Sequence, residues 1–160
     1  ARGWAPEVFA SAFTLYAVIA IGNVLLSGHL IDRASARRLL PVYLLPFGAA
    51  CLVLAGVEAP WSAFAFMLLY GITDGISLTL FGSLWPEVYG TRHLGAVRGV
   101  VVAAMVLAAA AGPGLAGLLV DAGIPLPWLI AGMGCYCGLI CPVLVLTVRR
   151  VSARLADQKV

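Results

Sequence analysis

The stretch Gly28-His-Leu-Ile-Asp-Arg-Ala-Ser-Ala-Arg-Arg38 places one aspartate and three arginines within seven positions, 32 to 38, of a 160-residue chain in which only 11% of residues are charged. On either side the sequence turns apolar, over residues 8 to 27 before it and 39 to 57 after it. Three further apolar runs lie at 62 to 84, 99 to 120 and 126 to 148. Each is about 20 residues long, enough for a helix to cross a hydrocarbon layer of roughly 30 Å. With 62% hydrophobic residues and a mean hydropathy of +1.04, the composition is that of an all-α membrane protein with five transmembrane helices. A cleavable leader would account for one such run, not five. The start, ARGWAPE, reads as the end of a loop, so the chain is expected to be a fragment of a longer protein.

The net charge is only +3, and its placement carries more than its size. If the chain starts outside and crosses five times, segments 28 to 38, 85 to 98 and the tail from Arg149 are cytoplasmic. They hold nine of the ten basic residues, leaving Arg2 outside. That asymmetry sets the orientation, with the N-terminus outside and residues 149 to 160 as a cytoplasmic tail. Arginines confined to short segments at helix ends do not make a nucleic-acid surface, so no nucleic-acid partner is expected.

Within the spans, polar side chains are few. Asp74 is the one acidic or basic residue in the middle three runs, and an ionised carboxylate at that depth has to face a cavity or a partner. Helical spacing puts Tyr70 and Ser77 on its side, with Thr73 adjacent, which makes a polar strip suited to a solute or a proton. Tyr16, Asn23 and Ser27, spaced by seven and four, share a face of the first helix and read as cavity-lining or as interhelical hydrogen-bonding groups. Gly71 and Gly75, Gly134 and Gly138, and the 111 to 117 run are small-residue steps that let helix backbones approach. Pro46, Pro113 and Pro142 lie inside spans and mark helices that sit in a packed bundle. No nucleotide loop, zinc-protease motif or nucleophile elbow occurs, which argues against an enzyme. Cys51, Cys135, Cys137 and Cys141 read as small apolar residues, and neither a metal nor another cofactor is expected.

The spacing of Gly28, Asp32, Arg33, Arg37 and Arg38 resembles the signature loop of the major facilitator superfamily, G-x-x-x-D-R/K-x-G-x-R/K-R/K. It departs from that pattern only at Ser35, where the family prefers Gly. The run AAAAGPGLAGLL at 108 to 119, with Gly112, Pro113 and Gly117, is similar to a Gly-Pro helix pattern of the same family. LWPEVYGTRHLGAVRG at 84 to 99 looks like the connection between the tenth and eleventh helices of its bacterial members. The resemblance implies a part of a 12-helix bundle of two pseudo-symmetric halves, helices 8 to 12, without the N-terminal half of the same transporter. Helices 2 to 6 are the alternative placement; the absence of the usual Arg from the third span and the 84 to 99 stretch argue against it.

For function, the resemblance implies secondary transport of a small solute by alternating access, with or without proton coupling and as symport or antiport, in a bacterial plasma membrane. The lipid bilayer, the solute and the other half are then the partners. The resemblance also implies that Asp32 approaches a helix start in the other half, and that Arg33, Arg37 and Arg38 meet Glu87 in a gating charge network, with Gly112, Pro113 and Gly117 serving packing or a hinge. A non-transporting helical membrane protein, structural or receptor-like, is the second reading. A channel is the third, and it lacks enough polar positions to line a pore.

Overall fold

The computed structural model describes residues 6 to 157, and the side chains of 10 to 150. All regular structure among them is helical: α1 (Pro6–Ala34), α2 (Ala36–Leu39), α3 (Leu45–Gly56), α4 (Trp61–Tyr89), α5 (Leu94–Asp121) and α6 (Leu126–Asp157). Four helices, α1, α4, α5 and α6, are long and apolar enough to cross a membrane, while α3 is a shorter apolar helix of 12 residues.

The apolar run at 39 to 57 is therefore not one uninterrupted spanning helix, and its prolines explain why. Pro41 and Pro46 each lack the N–H that an α-helix needs, and each ring crowds the preceding turn. Residues 40 to 44 form tighter turns instead, with Val42 N–H donating to Leu39 O at 3.0 Å and Leu45 N–H to Val42 O at 3.1 Å. The α-helix resumes with Pro46 in its first turn, where a missing donor costs nothing.

Other helices run past their apolar stretches. α1 continues through Gly28, Asp32 and Arg33 and breaks only at Ser35, so most of the charged segment is helix rather than loop. Likewise α4 extends to Tyr89, which leaves only residues 90 to 93 between it and α5.

Contacts between helices fix their directions. Tyr16 faces Asp74, Ser27 faces Thr79 and Ser35 faces Glu87, so α1 and α4 are parallel neighbours. Their closest approach is at glycines. A Cβ on Gly75 would come within 2.5 Å of Ala20 O and 2.7 Å of Asn23 Cβ, and one on Gly71 within 3.0 Å of Tyr16 O. α3 packs against α6 in the opposite sense: a Cβ on Gly48 would lie 3.1 Å from Cys137 Cβ, and one on Gly134 2.9 Å from Leu52 Cγ. Gly138, by contrast, has nothing within 4 Å of its Cβ position.

A small core of Ile31, Ala36, Leu80 and Leu84 closes the end where α1, α2 and α4 meet, with Tyr43 edge-on to Phe81 at 5.5 Å. α5 stands apart. None of its residues is buried, and a Cβ on Gly112, Gly114 or Gly117 would meet nothing within 4 Å. The small-residue face around Pro113 thus has no neighbour among the described residues.

The two kinds of glycine should respond differently. Gly75→Ala forces the α1 and α4 backbones apart and should cost about 1 to 3 kcal/mol, whereas Gly117→Ala should be neutral or stabilise through its better helix propensity. Thermal unfolding of the purified variants in detergent checks the contrast, with a lowered midpoint for Gly75→Ala alone.

Candidate functional site

Two polar groups lie on the α1–α4 seam. The first is at the end where α1 breaks. Ser35 has φ 77 and ψ 139, the only non-glycine residue among those described with positive φ. That region is costly for a residue with a Cβ, by roughly 1 to 3 kcal/mol. It is also the position at which the signature pattern carries Gly, so the preference has a backbone cause. The serine hydroxyl supplies a compensation, since it donates to Glu87 Oε1.

Glu87 gathers two more donors. Ala36 N–H, at the start of α2 on a residue with 0% exposure, donates to Oε2 at 3.0 Å, and Arg37 Nε to Oε1 at 2.6 Å. The Arg37–Glu87 ion pair is about one-quarter exposed on each side, 26% and 23%, so water screens it only in part. One carboxylate on α4 thereby satisfies a buried backbone donor, holds a strained residue and pairs a guanidinium.

Of the three arginines expected to meet Glu87, the fold delivers Arg37 alone. Asp32, Arg33 and Arg38 are exposed and, among the described residues, make no ion pair. Gly28 sits inside α1 with nothing within 4 Å of its Cβ position.

The second group lies toward the other end of the same seam. Tyr16 Oη donates to Asp74 Oδ2 at 2.8 Å, joining the first and third apolar runs. It is the only hydrogen bond of that carboxylate among the described residues. Tyr16 also stacks on Tyr70, with centroids 5.2 Å apart and planes at 15°, and Tyr70 stacks on Phe66 at 5.9 Å. Phe47 of α3 completes the aromatic wall, 5.7 Å from Tyr70. A half-buried carboxylate is thus clamped by one phenol beside a row of rings.

The remaining polar residues of the strip do not converge on Asp74. Ser77 Oγ donates to the backbone Asp74 O at 2.8 Å, Thr73 Oγ1 to Leu69 O at 3.2 Å and Asn23 Nδ2 to Ile19 O at 3.0 Å, all within their own helices. Ser27, nearly fully buried, instead ties the helices together through Thr79 Oγ1 at 2.9 Å. Cys51, Cys137 and Cys141 are buried thiols, Cys135 is exposed, and no three His, Cys, Asp or Glu side chains converge as a metal site among the described residues.

An ionisable group in mid-span and a charged clamp where two helices end are features of proteins that move solutes across membranes. The family model described as Major Facilitator Superfamily matches residues 1 to 159. The chain belongs to the major facilitator superfamily. As a member of this family of membrane transporters it is an integral membrane protein with a transport function, and its working environment is a lipid bilayer and a solute. No curated protein and no solved structure matches the chain.

Ser35 and Glu87 give separable outcomes. Glu87→Ala leaves the buried Ala36 N–H without an acceptor and should cost about 2 kcal/mol. Ser35→Gly exchanges a hydrogen bond for relief of strain and should stay within about 0.5 kcal/mol of the parent, while Ser35→Ala keeps the strain, loses the bond and should cost about 1 kcal/mol. Detergent-phase thermal melts of the three variants test the ranking, Glu87→Ala lowest and Ser35→Gly highest.

Proposed function

We propose that this chain is helices 8 to 12 of a 12-helix facilitator, and that the whole transporter moves a small solute by alternating access with the Tyr16–Asp74 pair on its pathway. The observation that carries the proposal is the single phenol-to-carboxylate bond at 2.8 Å. A carboxylate at that depth has to face a cavity or a partner, and here its partner is one phenol. Asp74 is accordingly the group for proton coupling. Tyr70, Phe66 and Phe47 give the pathway an aromatic wall, and Ser77, about one turn beyond Asp74, and Asn23, about two turns beyond Tyr16, border it.

The parallel course of α1 and α4 supports five crossings. A chain that crosses in α1 has to return before it crosses again in the same direction, and the segment available is α2, the proline turn and α3 together, residues 36 to 56. Those 21 residues are long enough to cross where α3 alone is not. The excess of arginine at the 28 to 38 and 85 to 98 ends supports a cytoplasmic position for the Glu87 clamp, in what we take to be a bacterial plasma membrane.

Glu87 then serves as a latch within this half, and the exposed Asp32, Arg33 and Arg38 form the charged edge that meets the N-terminal half. In the state where the two halves close on the cytoplasmic side, Asp32 would sit at a helix start whose free N–H groups and dipole favour a carboxylate. Several contacts of modest strength suffice to bias such a two-state equilibrium. The exposed small-residue face of α5 is a further surface for the rest of the bundle.

Uptake by the full-length protein in vesicles tests the pathway. Asp74→Asn should flatten the dependence of uptake on pH, and Tyr16→Phe should shift that dependence and slow uptake by roughly tenfold, the worth of one hydrogen bond to a charged group. Unchanged rate and pH profile in Asp74→Asn would contradict the coupling role.

A further inference from the structure

α4 carries a proline, Pro86, in its last turn. In an α-helix the N–H of that position would bond to the carbonyl four residues back, which is Gly82 O. Proline has no N–H, so the Gly82 carbonyl is left without its helical partner. It is satisfied by Arg98 of α5, whose Nη2 donates to Gly82 O at 3.1 Å.

The bond matters because α5 has so little else. No residue of α5 is buried, and Arg98 to Gly82 is the one hydrogen bond between α5 and another helix among the described residues. An open apolar cleft separates the two helices beyond it, lined by Leu78, Phe81 and Trp85 on one side and Val101, Val102 and Met105 on the other. Glu87, the nearest acidic residue along α4, is occupied by Arg37, so Arg98 has no ion pair in this part of the chain.

We propose that Arg98 is a positioning residue, clasping the carbonyl that Pro86 frees and thereby holding the start of α5 at a fixed place on α4. The charged hydrogen bond is stronger than a neutral one, and the proline leaves its acceptor without a helical donor. Removing the proline makes the arginine redundant: with Ala at 86, a backbone N–H reaches Gly82 O within α4. The clasp concerns where α5 sits and holds whatever solute is carried.

The test is hydrogen exchange, read by mass spectrometry on the full-length protein in a bilayer mimic, at the first two turns of α5 in four variants. Arg98→Ala should exchange roughly tenfold faster there than the parent, the scale of one lost hydrogen bond to a charged group. Arg98→Lys, which keeps a charged donor, should fall between the two. In a Pro86→Ala background, Arg98→Ala should change exchange by less than about twofold, the mark of two residues acting on one acceptor. Equal acceleration with and without Pro86, or no acceleration by Arg98→Ala, would overturn the proposal. Should Arg98→Ala alone fail to fold, the Pro86→Ala, Arg98→Ala double variant should fold and exchange like Pro86→Ala, and its failure would overturn the proposal equally.

Discussion

The close approach of α1 and α4 at Gly71 and Gly75 is the constraint on which both polar groups depend. Between helices in lipid there is little hydrophobic driving force, because the acyl chains are as apolar as the side chains they replace. What remains is van der Waals contact and hydrogen bonding, and both need the backbones near each other. With Ala20 O only 2.5 Å from where a Gly75 Cβ would stand, no larger residue fits. Ser27 then reaches Thr79, Tyr16 reaches Asp74 toward one end and Ser35 reaches Glu87 at the other. A seam fixed in the middle by sterics is read out at its ends as chemistry.

The two ends do different work with the same kind of side chain. Glu87 collects three donors, one of them a buried backbone N–H, and so is bound into the structure of the α1–α2 break. Among the described residues Asp74 has a single donor, from a phenol whose ring stacks on Tyr70. A carboxylate with many partners resists change, and one with a single partner is poised for it. This difference is why the proposed function puts Asp74, and not Glu87, on the pathway.

Much of this is legible in the residues alone. The four long apolar helices follow from apolar run length, and Glu87 as the partner of an arginine of the 28 to 38 stretch follows from the signature resemblance. Hydropathy does not register a missing donor: Pro41 and Pro46 leave the composition of the second apolar run unchanged while interrupting its helix. The charged stretch looks like a loop because its composition is polar, yet helices continue beyond the hydrocarbon, and only the backbone at Ser35 ends α1. Ser35 itself leaves a signal, a serine in a position that usually needs glycine, but its hydroxyl's partner lies 52 residues away and no local rule points there. Arg98 reads in the sequence as a topological charge. Its link to Gly82 is foreshadowed by Pro86, because a proline four residues on marks the carbonyl it frees.

The central claim is that α1 and α4 form one body that carries Asp74 and Glu87. The direct measurement is the distance distribution between spin labels placed on the two helices beside Gly75, in the full-length transporter, with its cavity held open first to one side and then to the other. The account predicts a single narrow distance that is the same in both states, while distances from this pair to the other half change. A distribution that broadens or shifts between the states would show α1 sliding on α4 and would contradict it.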